Sequence, residues 1–248
     1  MKGIDIVIPS FHSKELTSLA IRSFEKYKSD FNFRYIVVEN SSDDSYKEHV
    51  LSLSSDVIWI QNPMPSFLDS GKPTVRSEAN ASGLENGLEL VKTEYVFMCH
   101  SDVVACHESW MKFLVSKIEE GHSMVAVREH DDCAHVIGLL VETKIARAVS
   151  LYPIYGVLDV GDSMTHYCKD EGLDYYICKN TNNHPFLVEE IKEEKYKKMI
   201  GVDKVFNDNG DVIYMHLGRG ADKQFNNYHK PNKIYFNDWV KIVNEEIL

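Results

Sequence analysis

The sequence predicts an α/β protein built on a Rossmann-like, mostly parallel β-sheet flanked by helices. Three observations carry this. Early in the chain, β-branched runs alternate with stretches of helical periodicity in the order strand, helix, strand, helix, strand. Runs such as Tyr95-Val96-Phe97-Met98-Cys99 are continuously apolar, as strands covered on both faces require. Finally, several runs stop abruptly at polar residues, which puts Glu39, Asp102 and His216 at strand ends. In open α/β sheets ligands bind outside the carboxyl ends of the strands, so these positions are the first candidates for a site.

The elements follow in order. Ile4-Asp5-Ile6-Val7-Ile8-Pro9 reads as a β-branched strand stopped by proline. Ser13 is placed to cap a helix carrying Leu16, Leu19, Ala20 and Phe24 at helical spacing. Residues 34–38 form a second strand, 44–53 a helix and 57–60 a third strand. Residues 61–76 are rich in chain breakers and read as a loop, followed by a helix over 77–91. Beyond the apolar run at 95–99, residues 108–119 show an amphipathic helix with Trp110, Phe113, Leu114 and Ile118 on one side. Strands are expected at 124–127, 136–141, 175–178 and 211–215, and helices near 143–149, after Asp159 up to Gly172, and at 239–247. No repeat or linker interrupts the chain, so one domain is expected over 1–248, with halves of about 1–125 and 126–248.

A formal net charge of −11 argues against a sequence-independent nucleic-acid binder, which needs a basic face. It also means that an anionic ligand must meet local cations, either Lys/Arg or a metal ion. The five cysteines are odd in number and scattered through apolar runs, which fits reduced thiols better than a disulfide framework. A zinc site from Cys99-His100, Cys106-His107, Cys133 and His135 lacks CxxC-type spacing, and Cys99 and His100 point to opposite faces of a strand. Neither a signal peptide nor a run long enough to span a membrane is seen, so a cytoplasmic protein is expected, with peripheral attachment to a membrane left open. No glycine-rich loop follows the first strand, which disfavours a dinucleotide-binding or Walker-type phosphate site.

Ile6-Val7-Ile8-Pro9-Ser10-Phe11, Val37-Val38-Glu39-Asn40-Ser41-Ser42-Asp43, and Gly87-Leu88 followed by Glu94-Tyr95-Val96-Phe97 together resemble the family 2 glycosyltransferases of GT-A fold. The resemblance covers roughly the first 125 residues, with weaker echoes at Asp162 and His216. It implies a mixed, mostly parallel sheet and an inverting transferase that uses a nucleoside diphosphate sugar of UDP, GDP or dTDP type. The acceptor would be a glycan, a lipid-linked glycan or a protein. Pro9, Ser10, Phe11 and Ser41 then belong to the nucleotide loops, and Glu39 takes the place of the carboxylate that holds the base or ribose. His100-Ser101-Asp102 takes the DxD position, with histidine where the first aspartate stands in the family. Asp102 and His216 become metal ligands. An imidazole in such a site tilts it toward Mn²⁺ over Mg²⁺. Asp162 takes the place of the catalytic base, with Asp159 as reserve, although aspartate at a helix start is also a routine N-cap. Arg76, and Arg219 and Lys223 after the Gly218-Arg219-Gly220 turn, are candidates for the diphosphate. Two alternatives share the fold: a nucleotidyltransferase, and a non-catalytic nucleotide-sugar binder that has lost the first aspartate.

Overall fold

The computed structural model describes residues 3–63, 73–128, 133–154, 156–225 and 233–248. Strand β1 (Gly3–Ser10) pairs in parallel with β2 (Asn32–Glu39) on one side and with β4 (Tyr95–Met98) on the other, and β3 (Val57–Gln61) extends the parallel half beyond β2. Beyond β4 the direction reverses. Strand β7 (Ala134–Glu142) lies antiparallel to β4 and to β6 (Met124–Arg128), and β8 (Tyr175–Cys178) returns parallel to β6. The seven-stranded order is β3-β2-β1-β4-β7-β6-β8, a mixed sheet with more parallel than antiparallel pairings. The reversal at β7 makes the sheet mixed, as expected, but the strand that reverses could not be named from the sequence, because apolar runs buried on both faces look alike in either direction.

Alternation along the strands builds two cores. Ile4, Ile6, Ile8, Tyr35, Val37 and Phe97 pack on one face with Phe24 of helix α1 (Lys14–Lys26). Val7, Ile36, Val38, Val96 and Met98 pack on the other face with Leu84 and Leu88 of α3 (Pro73–Leu88). Helix α2 (Lys47–Leu51) connects β2 to β3, and α4 (Trp110–Glu119) joins the first core through Trp110, stacked 5.0 Å from Phe24. Helices α5 (Thr143–Ala148) and α6 (Asp162–Asp170) join the second. Gly87 allows α3 to lie close on the sheet, since a Cβ there would meet Val7 Cγ1 at 2.3 Å.

A second, antiparallel sheet was not foreseen. Its strands β5 (Val103–Ala105), β10 (Val212–His216) and β9 (Asp203–Phe206) stand in the order β5-β10-β9. At three and four residues, β5 and β9 are too short to show a period. The same holds for α7 (Leu187–Glu190), α8 (Glu194–Lys198) and α9 (Gly220–Phe225). The chain closes with α10 (Phe236–Ile242) and a π-turn at Val243–Ile247, which pack with Met215 and the outer side of α1 through Trp239 and Val243. The helix read from residue 77 begins earlier, at Pro73, the residue best suited to a first helical turn. Ser13 sits before α1 but does not cap it with its side chain, because its hydroxyl donates to Phe11 O at 2.7 Å. All five cysteines are buried thiols.

Candidate active site

Strand β1 ends at Ser10 and β4 at Met98, and antiparallel β7 begins at the same edge. Around this edge opens a cleft of about 460 Å³. One wall carries Pro9, Ser10, Phe11, Asn40 and Asn80, and the other carries His135, Val136, Asp159 and Val160. His100, Ser101, Asp102, His216 and Arg219 also line it.

The second sheet explains how residues so far apart in sequence meet. In the β5–β10 pairing His216 lies opposite Val103, and the Leu217 N–H donates to Asp102 O at 3.1 Å. This sets His216 Nε2 at 3.2 Å from Asp102 Oδ1. Gly218 (φ +73°) and Arg219 (φ +54°) then turn the backbone through left-handed conformations, so that the Gly220 N–H donates to Asp102 Oδ2 at 2.9 Å. Only glycine fits at 220: a Cβ would stand 2.8 Å from Asp102 Cβ and 2.7 Å from Leu16 Cδ1. Asp102 is thus fixed from two sides.

His100 completes the group, its ring 5.4 Å from that of His216 and its Nε2 3.2 Å from Asn80 Nδ2. One ligand atom from each of His100, Asp102 and His216 falls within 4.8 Å of the others. The protonation states suit a cation. Burial tends to raise the Asp102 pKa, but His216, His100 and the Gly220 N–H outweigh it and hold the carboxyl well below its ordinary value. Burial, reinforced by His216, pushes His100 down to about 4, so its ring is neutral near pH 7. The test of fit is His216. Its buried Nε2 lies near Asp102 Oδ1 without the alignment of a hydrogen bond, as expected of two ligand atoms turned toward a common third body.

The other expected residues divide. Glu39 is fully buried and bound by protein donors: His12 N–H at 3.1 Å, Ser41 N–H at 2.9 Å and the Tyr46 hydroxyl. It ties the loop after β1 to the loop after β2. Ser41 is buried beside it, and its Oγ accepts from the Asp43 N–H. Asp162 is 1 % exposed, does not line the cleft, and accepts the Asp159 N–H at 2.8 Å through Oδ2. Asp159 does line it. Lys223 is turned inward to Leu217 O at 3.1 Å, and burial lowers its pKa to about 8. Arg76 is in the first turns of α3, and its side chain lies outside the described residues. Asn40, Asn80 and His135 were not singled out as cleft residues by the sequence. Asn40 sits at the end of β2, where it donates to Ala79 O at 2.8 Å, and only its place in the Glu39-Asn40-Ser41 element pointed to it.

No protein-family description and no curated protein matches the chain in sequence. Solved structures do match its fold. A galactosyltransferase, LgtC, crystallised with donor and acceptor sugar analogues, superposes with a TM-score of 0.58 at 12% identity, over 97% of this chain and 95% of that one. The mannosyltransferase PcManGT from Pyrobaculum calidifontis, in complex with GDP-Man and Mn²⁺, gives 0.53 at 12% identity over 75% of this chain. The chain spans 60% of that enzyme's length. Glucosyl-3-phosphoglycerate synthase from Mycobacterium tuberculosis, in complex with Mg²⁺ and UDP, gives 0.51 at 16% identity, over 71% and 68% of the two chains. The fold is that of the GT-A glycosyltransferases. Within this GT-A fold the histidine–aspartate group stands beyond the end of the central parallel strands, at the crevice where ligands of such sheets bind.

Proposed function

We propose that the protein moves a sugar from a nucleoside diphosphate donor to an acceptor hydroxyl, with inversion, assisted by a divalent cation held by His100, Asp102 and His216. The observation that carries the reading is the meeting of these three ligand atoms within 4.8 Å in the crevice of a GT-A fold. Two imidazoles beside one carboxylate favour Mn²⁺ over Mg²⁺. When bound, the cation neutralises charge on the leaving diphosphate, which an acidic chain needs. The wall of Pro9, Ser10, Phe11 and Asn40 takes the nucleoside of a UDP, GDP or dTDP sugar, and Arg219 faces the diphosphate. Glu39 and Ser41 act behind this wall by fixing its two loops. A glycan, lipid-linked glycan or protein supplies the acceptor.

The wall bearing Asp159 takes the acceptor. Its hydroxyl oxygen attacks the anomeric carbon while the bond from that carbon to the diphosphate oxygen breaks. The electron pair leaves with the diphosphate, and the acceptor's proton passes to a carboxylate. We assign that carboxylate to Asp159, which lines the cleft, with Asp162 holding the Asp159 backbone in place.

The test is a panel of UDP, GDP and dTDP sugars incubated with the protein and Mn²⁺. One donor should release its nucleoside diphosphate only when Mn²⁺ is present, and faster once an acceptor is supplied. NMR of the product should show the opposite anomer. Tight binding with no turnover would instead make the protein a non-catalytic nucleotide-sugar binder, and a retained anomer would overturn the single displacement.

A further inference from the structure

The stretch that leads into Asp159 exposes apolar side chains beside the cleft. Residues 148–158 carry no charged side chain, in a chain of which 26% is charged. Three of the eight large apolar side chains exposed among the described residues fall within six positions here: Tyr152 at 43%, Ile154 at 54% and Val157 at 69%. Apolar residues scattered singly over a surface need no explanation, but three gathered on one hairpin mark a contact surface. The backbone gives them no way inward. Ile154 and Leu158 exchange both backbone hydrogen bonds at 2.8 Å, which closes a tight hairpin. Its base is tied by Glu85 of α3, which accepts the Leu151 N–H at 2.8 Å and the Ser150 hydroxyl at 3.0 Å, while Leu151 is buried in the second core. On the other side exposure falls step by step, from Val157 through half-buried Leu158 and Asp159 to buried Val160. Asp159 and Val160 line the cleft.

We propose that the acceptor is an amphiphile: its hydroxyl enters the cleft at Asp159, and its alkyl chain lies on the hairpin over Tyr152, Ile154 and Val157. The proposal rests on the transferase reading for what happens to the hydroxyl, but not for the binding of the chain. Two observations choose this occupant. The hairpin runs directly into the wall at which the acceptor stands, with Val157 no more than about 7 Å of extended chain from Asp159, so one small molecule spans both. The absence of any Lys or Arg over residues 148–158 speaks against docking on anionic lipid headgroups, from which a net charge of −11 would also hold the protein away. A neutral hydrocarbon chain needs no cation there. It gains by leaving water against the three side chains, a gain that a free sugar does not have.

The experiment titrates methyl, butyl, hexyl and octyl β-glycosides of glucose, galactose and mannose, all below their micelle concentrations, with Mn²⁺ present. Wild type is compared with a variant carrying Tyr152→Ser, Ile154→Ser and Val157→Ser together. Calorimetry reads the affinity, and ¹³C-methyl NMR of wild type reads the place of binding. In at least one sugar series the wild-type affinity should rise about threefold for every two methylenes, less than full burial would give, because a surface hairpin covers one side of the chain. The Ile154 and Val157 methyl signals should shift with the octyl glycoside and not with the methyl glycoside. The variant should lose the dependence on chain length and bind UDP and GDP with Mn²⁺ within about twofold of wild type. Its three positions are exposed, so it should unfold at close to the wild-type temperature. No dependence on chain length in any series would overturn the proposal, as would a dependence that survives in the variant. Wild type that sediments with phosphatidylcholine vesicles free of glycoside, or that dimerises through these residues, would also overturn it, since the surface would then belong to a membrane or to a second copy. If wild type bound neither UDP nor GDP, the transferase reading would fall alone, and a dependence on chain length at the hairpin would still stand.

Discussion

Asp159 and Asp162 differ by three positions in sequence and completely in surroundings. Asp162 is buried at the start of α6, with Oδ2 accepting the Asp159 N–H. Gly161 beside it must be glycine, because φ is +102° and a Cβ would meet Ala134 O at 2.8 Å. Asp159 →Asn should therefore lower kcat by at least about a hundredfold, the usual share of a general base, with donor binding unchanged. Asp162→Asn should lower kcat less and also lower the unfolding temperature, because it disturbs a buried turn rather than the reacting group. Turnover kinetics paired with thermal unfolding checks both, and the reverse pattern would return the base to Asp162. The sequence offered both carboxylates of this stretch but could not choose between them, since an aspartate at a helix start looks the same whether it faces a ligand or its own backbone. His135 shows the same limit. It stands near the start of the nine-residue β7, one residue before the strand expected at 136–141, and its relation to His100 depends on a pairing of β4 with β7 that no local pattern encodes.

At the scale of elements, strand identity was legible and strand direction was not. The continuous apolar runs of β1, β2 and β4 announced themselves because burial on both faces leaves no polar positions, whereas β5 and β9 are too short to carry a period. Asp5 is the exception inside β1, a buried carboxylate in an apolar strand. It is held by Arg34 Nε at 2.8 Å and by Arg34 Nη2, and it accepts the Lys92 N–H at 2.6 Å. This knot joins β1, β2 and the turn before β4 at the amino edge, away from the cleft. Burial tends to raise the Asp5 pKa, but the Arg34 hydrogen bonds and charge together with the Lys92 and Thr93 N–H groups outweigh it and bring it below the ordinary 3.8. A carboxylate with a lowered folded pKa adds stability above its unfolded pKa and loses it as pH falls through the folded value. Stability should thus decline below about pH 4. Arg34→Met should cost about 3 kcal/mol in urea unfolding, because it strands a buried charge. It should flatten that acid limb and leave Mn²⁺ affinity intact. A cost near zero would mean that Asp5 is satisfied by the backbone alone.

For the whole molecule, the essential arrangement is one sheet delivering a histidine to the edge of another. β4 brings His100 and Asp102 to the carboxyl edge, and β10, lying on β5, brings His216 back from more than a hundred residues later in the chain. The two sheets are locked where the Tyr214 hydroxyl donates to Gly138 O at 3.0 Å, and where a Cβ on Gly138 would strike the Tyr214 ring at 2.6 Å. The strand-end pattern pointed to this convergence before any coordinates, but the sheet that produces it, with its two very short strands, was invisible. The most direct measurement is Mn²⁺ binding followed by the EPR signal of the free ion, with and without UDP or GDP, on wild type, Asp102→Asn and His216→Gln. Wild type should take up Mn²⁺, and more tightly when the matching nucleotide is present. Each variant should lose more than about tenfold in Mn²⁺ affinity while unfolding at close to the wild-type temperature. Two correctly folded variants that bind Mn²⁺ as wild type does would contradict the assignment of this site.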